Sequence, residues 1–261
     1  MQFVFIFFIC LIASTVGSIC GIGGGVVIKP VLDSLDVMTV STVSFLSGLT
    51  VLSMAIISVY RNRHSSHVDG RRSLFLGIGG AVGGIAGKAI FDLIKTAVGH
   101  DAVLGIIQSV LLALLLLGTA AYMLVKAKIP TKDLQNPAAC ILIGLALGLL
   151  SSFLGIGGGP MNLVVLYYFF SMDTKKAAVN SLIIILLSQF TSFVQTVALH
   201  KVPAFEWPVL ILMVTAGILG GMVGTKIHRR LSVTQTERLF FGLLAVIFVI
   251  CLFNIVRYAA A

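Results

Sequence analysis

Long apolar stretches separated by short polar loops constrain the fold of this chain more than any other feature. A helix needs about 20 apolar residues to cross the hydrocarbon core of a bilayer. Charged residues make up 10% of the chain, against about 25% in soluble domains. We therefore predict an all-α, multi-pass protein of the cell membrane, surrounded by the lipid bilayer. The apolar stretches cover residues 3–20, 22–32, 37–60, 73–94, 102–125, 138–154, 160–170, 177–199, 208–227 and 239–256.

One five-residue motif, Gly-Ile-Gly-Gly-Gly, occurs twice and interrupts the apolar pattern each time. We call Gly21–Gly25 the first break and Gly155–Gly159 the second break. Glycine destabilises a helix interior by about 1 kcal/mol relative to alanine, and non-helical backbone persists in a bilayer only where it is buried in protein or lines a cavity. The stretches that follow, 22–32 and 160–170, are too short to cross comfortably. Each is either the return arm of a re-entrant hairpin or the second half of a broken helix.

The two halves of the chain resemble each other in more than this motif. A glycine pattern that suits close packing of helices in lipid recurs 137 positions later, and Ser44 aligns with Ser181 at the same offset. We therefore divide the chain into a first transmembrane repeat at 1–125, a basic cytoplasmic linker at 126–137 and a second transmembrane repeat at 138–261. The glycine pattern comprises Gly80, Gly83, Gly84 and Gly87, and its copy comprises Gly217, Gly220, Gly221 and Gly224.

The distribution of basic residues favours inverted rather than parallel repeats. If each break belongs to a segment that crosses once, the 18 Lys and Arg residues divide about equally between the two sides. If each broken segment enters and returns on one side and three transmembrane helices follow it, 13 of these residues fall on one side. The second arrangement obeys the positive-inside rule, and it is the one we predict. The five basic residues on the other side are then Lys29, Lys88, Lys95, Lys201 and Arg257.

With this motif once in each half of its 261 residues, the chain resembles the sulfite exporter TauE/SafE family. The resemblance covers nearly the whole chain. It implies a multi-pass membrane transporter of sulfite, sulfonates, thiosulfate or related small organosulfur anions. It does not choose among those anions.

The residues independently predict an anion site where the two breaks meet. A helix N-terminus exposes unpaired N–H groups and about half a positive charge, and glycine lets an anion approach that backbone closely. The alternative is that the glycines only permit tight packing of two hairpin tips, and both roles are compatible. The candidate substrate-binding glycines are Gly21, Gly23, Gly24, Gly25, Gly155, Gly157, Gly158 and Gly159.

Polar residues near the breaks are further candidates for substrate binding. Buried amides and hydroxyls in membrane helices either contact a substrate or bond to a neighbouring helix. Lys29 either reaches back to the first break and neutralises the anion, or extends to the outer interface. The polar candidates are Ser18, Cys20, Ser44, Asn162, Asn180, Ser181 and Gln189, with Ser41, Ser151 and Ser152 nearby.

The acidic residues favour an anionic substrate, because all nine lie at segment ends or in loops. A site for Na⁺ or a metal ion would normally need a carboxylate within the membrane. We therefore expect no cofactor, and proton coupling is left without an obvious carrier. The function that we predict is alternating access around the breaks. An anion channel and a non-transporting assembly protein are the alternatives, and a homo-oligomer is compatible with the sequence.

Other function classes fit the sequence poorly. The net charge of +9 is explained by basic residues in cytoplasmic loops, so we expect no nucleic-acid partner. The four cysteines, Cys10, Cys20, Cys140 and Cys251, all lie in apolar stretches and form no metal-binding pattern. Ser, Cys and His residues form no catalytic constellation, so we do not expect an enzyme.

Overall fold

The fold is all-helical throughout the residues that the computed structural model describes, which are 2–35, 37–63, 65, 67–99 and 101–260. A single turn of 3₁₀ helix, Lys126–Lys128, follows α5 in the segment between the two halves. The α-helices are α1 Gln2–Cys20, α2 Gly25–Leu35, α3 Val40–Asn62, α4 Gly70–Val98, α5 Asp101–Val125, α6 Pro137–Leu154, α7 Pro160–Phe170, α8 Thr174–Ala198, α9 Trp207–Arg230 and α10 Val233–Ala260.

Eight of these helices are long and apolar enough to cross a membrane, with mean hydropathies between 1.7 and 2.9. The other two, α2 and α7, have 11 residues each and directly follow the breaks. Large apolar side chains such as Leu114, Leu142 and Val249 are exposed on the outer faces, as expected where lipid rather than water is the solvent. The prediction of an all-α multi-pass protein is confirmed.

Polar caps at the loop ends explain where several helices begin. Thr39 accepts a hydrogen bond from the backbone N–H of Thr42, and Asp69 accepts one from the backbone N–H of Arg72. Asp173 accepts bonds from two backbone N–H groups in the first turn of α8. These side chains satisfy N–H groups that have no partner inside the helix.

Small residues allow two helix pairs to pack in backbone contact. A Cβ added at Gly83 of α4 would lie 2.0 Å from the carbonyl oxygen of Leu145 in α6. A Cβ added at Gly224 of α9 would lie 2.4 Å from the carbonyl oxygen of Thr15 in α1. The repeated glycine pattern therefore has a packing role, because any larger residue would push these helices apart.

Contacts between helices follow the same plan in the two halves. When α1–α5 are matched in order with α6–α10, the α4–α6 pair corresponds to α9–α1, and α4–α8 corresponds to α9–α3. Likewise α2 packs on α10 where α7 packs on α5. Each half thus supplies helices that pack against the other half, and the two halves form one interlocked body.

The contacts revise the alignment of Ser44 with Ser181. A Cβ added at Gly21 would lie 2.2 Å from Cα of Ala178, whereas one added at Gly155 would lie 2.6 Å from Oγ of Ser44. Ser44 therefore corresponds to Ala178, at the same offset as the two breaks. The offset changes only later, between α8 and α9, which a comparison of glycine and serine positions alone does not reveal.

Each short helix returns toward the start of the long helix that precedes it. Backbone N–H groups of Lys132 and Leu134, just before α6, donate to the carbonyl oxygens of Tyr168 and Phe169 at the end of α7, at 2.7 and 2.9 Å. In the first half, Ile6 near the start of α1 and Leu32 near the end of α2 belong to one apolar cluster. The start of α6 lies beside the end of α7, and the corresponding ends of α1 and α2 share one cluster.

Candidate functional site

The two breaks begin with the same backbone structure. Gly21 and Gly155 have φ of 70° and 65°, a left-handed conformation that glycine adopts without strain. The N–H of Ile22 donates to the carbonyl of Gly17 at 3.1 Å, and the N–H of Ile156 donates to the carbonyl of Ser151 at 3.4 Å. This is the glycine-terminated end of a helix, and it explains why α1 and α6 stop where they do.

The two breaks contact each other through their backbones. A Cβ added at Gly25 would lie 2.1 Å from the carbonyl oxygen of Ile156, and one added at Gly158 would lie 3.1 Å from the carbonyl oxygen of Ile22. Val51 and Ile185, both fully buried, lie against Gly23. The packing role considered for the glycines is therefore present, and backbone and aliphatic side chains occupy the contact between the breaks.

A polar cleft of about 50 Å³ lies beside the second break. Because a water molecule needs about 10–15 Å³ of such volume, the cleft has room for a small hydrated or oxygen-rich group. It is enclosed by α3, α4, α6 and α8 together with the first glycine of the second break. The lining residues are Ser44, Phe45, Gly48, Leu49, Lys88, Phe91, Ser152, Gly155, Gln189, Ser192, Phe193 and Thr196.

Two serines one turn apart on α3 contact the second break in different ways. Ser47 donates a hydrogen bond from its hydroxyl to the carbonyl oxygen of Gly155 at 3.1 Å and so fixes the break. Ser44 lines the cleft, and its buried hydroxyl has no hydrogen-bond partner within the described part of the chain. A buried polar group without a partner is costly, so Ser44 is available to a ligand in the cleft.

Lys88 supplies positive charge to the cleft. Its ammonium lies 3.9 Å from a carboxylate oxygen of Asp92 and 4.6 Å from the centre of the Phe91 ring. Asp92 is also paired with Lys201 at 2.9 Å. The two lysines outnumber the one carboxylate, so this group carries a net positive charge that attracts anions.

The sequence analysis treated Lys88 as an interfacial basic residue and did not include it in the site. Ser192 and Thr196 were also missed. A signal was present: in the repeated glycine pattern, Lys88 stands where the second half has Thr225. A lysine inside a predicted membrane segment is a functional candidate by its position alone.

Among the predicted site residues, Ser44, Gly155 and Gln189 lie in the cleft lining, as does the nearby Ser152. Gln189 extends over the α3 backbone, since a Cβ added at Gly48 would lie 3.0 Å from its Oε1. The hydroxyls of Ser152 and Ser192 are 2.9 Å apart. These side chains present hydroxyl and amide donors to one small volume.

Ser18 and Cys20 lie near the first break but outside this cleft. The hydroxyl of Ser18 is 2.9 Å from that of Ser58 and 3.3 Å from that of Thr225. Ser18, Ser58 and Thr225 form what we call the hydroxyl cluster, and all three are at most 2% exposed. Cys20 is fully buried in an apolar cluster.

The two predicted asparagines bond to the protein. Asn162 donates to the hydroxyl of Ser181 at 3.0 Å and joins α7 to α8. Asn180 accepts from the backbone N–H of Asp69 at 2.8 Å and donates to the carbonyl of His67 at 2.8 Å. Asn180 therefore holds the loop before α4, at some distance along α8 from Gln189.

Ser41 and Ser151 also lie outside the cleft lining. Ser41 accepts a hydrogen bond from Lys95. The hydroxyl of Ser151 is buried without a hydrogen-bond partner in the described part of the chain, beside a small apolar cavity that Asn162 and Gly159 also line.

Lys29 is buried and paired within its own helix. Its ammonium lies 2.8 Å from Oδ2 of Asp33, and the two side chains are 3% and 6% exposed. Lys29 therefore does not extend to an interface. Asp33 lies near the end of α2, where the sequence analysis expected acidic residues, but its side chain is buried. Asp36 lies outside the described residues.

Comparisons with known proteins place the chain in a family. The profile of the family described as "Sulfite exporter TauE/SafE" matches residues 6–250. The chain is 26% identical over 251 residues to the probable membrane transporter protein YunE of Bacillus subtilis (strain 168), covering 89% of this chain and 90% of that protein. No solved structure matches significantly. The family match spans nearly all of the sequence, and the chain belongs to the TauE/SafE sulfite exporter family of membrane transporters.

Proposed function

We propose that this chain carries a small sulfur-containing oxyanion across the membrane by alternating access. The observation that carries the proposal is the cleft beside the second break, where a lysine, four hydroxyl side chains and an amide face one small volume. No carboxylate is among these lining residues. Such a set of donors suits an oxyanion, whose several oxygen atoms accept hydrogen bonds from hydroxyl, amide and ammonium groups.

The orientation of the repeats that we propose is inverted. Support comes from the ends of the broken helix pairs, because Lys132 and Leu134 lie beside the end of α7. If each pair enters and leaves on one side, three crossings follow in each half. An odd number of crossings reverses the second half relative to the first, and the basic residues then satisfy the positive-inside rule.

A closed counterpart of the cleft supports alternating access. The hydroxyl cluster lies beside the first break in the position that Ser152, Ser192 and Lys88 take beside the second break. The Ser18–Ser58 and Ser152–Ser192 pairs have the same hydroxyl separation of 2.9 Å. One of the two related regions is an accessible cleft and the other is packed shut. In inverted-repeat transporters, exchange of these two conformations moves the site from one side to the other.

The test is uptake of radiolabelled thiosulfate, sulfite and sulfate into proteoliposomes, with Lys88→Gln as the site variant. We expect saturable uptake of at least one of these anions. Because removing a nearby charge weakens attraction by about 1 kcal/mol or more, the KM of Lys88→Gln should rise by about fivefold or more. Lys226→Gln is the matched control, since Lys226 is an exposed residue on α9 next to Thr225.

Three results would contradict the proposal. Single-channel currents with no saturation would indicate an anion channel, and absence of uptake by folded wild-type protein would remove the proposed substrate class. Equal effects of Lys88→Gln and Lys226→Gln would show that the cleft does not bind the anion.

A further inference from the structure

Lys29 and Asp33 form a buried ion pair that is not part of the cleft lining. Its ammonium–carboxylate distance is 2.8 Å. Oδ1 of Asp33 is buried and has no hydrogen-bond partner in the described part of the chain. Charges buried in a membrane protein are expensive and usually functional, so a pair with one unsatisfied oxygen requires an explanation.

Helices α5, α6 and α10 and the second break surround this pair. From α10, Arg257 donates to the carbonyl oxygen of Asp33 at 2.5 Å, and the thiol of Cys251 lines the same small cavity. From α5, the uncharged Gln108 and Ser109 face it. The titratable and charged groups around Asp33 are thus Lys29, Arg257 and Cys251, with Lys88 on the cleft side.

Lys29 reaches the residue that separates the ion pair from the cleft. A Cβ added at Gly155 would lie 3.5 Å from Cε of Lys29 and 2.6 Å from Oγ of Ser44. Gly155 and Ser44 both line the cleft. Because Gly155 has no side chain, the stem of Lys29 and the hydroxyl of Ser44 approach the same point beside it, at the edge of the space where the anion is proposed to bind.

We propose that Lys29 and Asp33 couple the binding of the anion to the binding of one proton; this inference rests on the proposed function. When the cleft is empty, Asp33 neutralises Lys29. When an anion enters, the ammonium of Lys29 turns toward it and the Asp33 carboxylate loses its ion-pair partner, while Arg257 stays on the backbone carbonyl of Asp33. A buried carboxylate that has lost its ion-pair partner is unstable, and Asp33 takes up one proton from the solvent on its free oxygen.

The step balances in charge and atoms. One proton and one anion enter, the Lys29–Asp33 ion pair separates, and a Lys29–anion pair and a neutral Asp33 carboxyl form. Release of the anion reverses each change, so the proton leaves on the same side. The anion and the proton therefore move together, which supplies the proton carrier that the arrangement of acidic residues in the sequence does not reveal.

The first test uses wild-type protein in detergent, in weakly buffered solution near neutral pH with a pH indicator. Thiosulfate is the probe because it has no basic group in that range, so any proton taken up binds to the protein. We expect one proton to be taken up for each thiosulfate bound. By linkage, thiosulfate affinity should rise as pH falls, by up to about tenfold per pH unit. Binding without proton uptake would overturn the coupling and leave the proposed function intact.

The second test places Asp33→Asn in proteoliposomes, because asparagine resembles the protonated carboxyl. We expect thiosulfate exchange between the two sides to continue while accumulation driven by a pH gradient falls to the level measured without a gradient. Glu237→Gln is the matched control: it removes a carboxylate paired with Lys126 and Thr174 far from the cleft, and its gradient-driven accumulation should stay at the wild-type level.

Each outcome of the second test decides between the two proposals. Gradient-driven accumulation by Asp33→Asn at the wild-type level would overturn the coupling. Absence of both exchange and accumulation in wild-type vesicles would contradict the proposed function and the coupling with it. If Asp33→Asn does not fold, the proton-uptake measurement on wild-type protein still decides the question.

Discussion

The hydroxyl groups of Ser44 and Ser47 on α3 both face the second break. Their different contacts predict opposite effects on stability and on anion affinity when each hydroxyl is removed. Ser44→Ala removes a buried hydroxyl that has no partner in the described structure, so we expect unchanged or slightly higher thermal stability. The same change removes a hydrogen bond to a bound anion, worth about 1.5–3 kcal/mol. Anion affinity, measured by isothermal titration calorimetry, should therefore fall by about tenfold or more.

Ser47→Ala is the matched control for Ser44→Ala. It removes a hydrogen bond of 3.1 Å to the carbonyl oxygen of Gly155 and should lower the free energy of unfolding by about 1 kcal/mol. Its effect on stability should exceed that of Ser44→Ala, and its effect on affinity should be smaller. The reverse order would show that the cleft is not the anion site.

The sequence could predict part of the candidate site but not all of it. Gly155 was predicted because it belongs to the second break, and Ser44 and Gln189 were predicted as polar residues of the apolar segments that follow the breaks. Asn180 was selected on the same grounds, but it lies more than two turns before Gln189 on α8. Its amide therefore bonds to the loop before α4 instead of facing the cleft. Hydrogen-bond partners of this kind depend on which loop packs against the helix, and a local sequence pattern does not predict that packing.

At the level of helices, the close approach of α4 and α6 depends on glycines along one face. A Cβ at Gly83 would lie 2.0 Å from a carbonyl oxygen of α6, and backbone of a neighbouring helix cannot move aside as a flexible side chain does. Gly83→Leu should separate the two helices and lower the free energy of unfolding by about 3 kcal/mol or more. The measurement is thermal unfolding of the purified protein in detergent.

Gly242→Leu is the control for Gly83→Leu, because a Cβ at Gly242 on α10 would meet nothing within 4 Å. Leucine also favours the helix by about 0.8 kcal/mol over glycine, so this variant should be at least as stable as the wild type. Comparable losses of stability in both variants would mean that the α4–α6 contact is not the cause.

The sequence predicts the helices better than it predicts their partners. Each of the ten apolar stretches contains or overlaps one helix. The largest difference is at α10, which begins at Val233 although its apolar stretch begins at 239, and polar caps at Asp69 and Asp173 also extend α4 and α8 beyond their apolar parts. Helix α2 begins at Gly25, later than the apolar pattern suggests, because Gly21 to Gly24 form the turn. The packing of α4 against α6 could not be predicted from the sequence. A helix face rich in glycine indicates close contact with another helix, but it does not indicate which one.

For the whole molecule, the two halves share a fold but differ in the side chains beside each break. Where the cleft has Ser44 and Lys88, the corresponding positions in the other half are Ala178 and Thr225. The same helices pack around both breaks, while the polar groups that would suit an anion are concentrated at one of them. Under the proposed alternating access, an anion bound there would reach the other side when the hydroxyl cluster opens, whose three members are at most 2% exposed in this structure.

Cross-linking the hydroxyl cluster tests whether it opens during transport. In protein whose natural cysteines have been replaced, Ser18→Cys combined with Thr225→Cys places two thiols, one from each half, where hydroxyls are 3.3 Å apart, close enough for a disulfide after a small adjustment. Oxidation should stop net uptake into proteoliposomes, and reduction should restore it. The same treatment of Thr131→Cys with Ser171→Cys, whose hydroxyls are 2.7 Å apart, should leave uptake unchanged because that contact joins the linker to the end of α7 and involves neither the hydroxyl cluster nor the cleft. Since a disulfide across the hydroxyl cluster prevents separation of α1 from α9, full uptake in its presence would mean that the anion crosses without opening this region, and alternating access of the two related regions would be wrong.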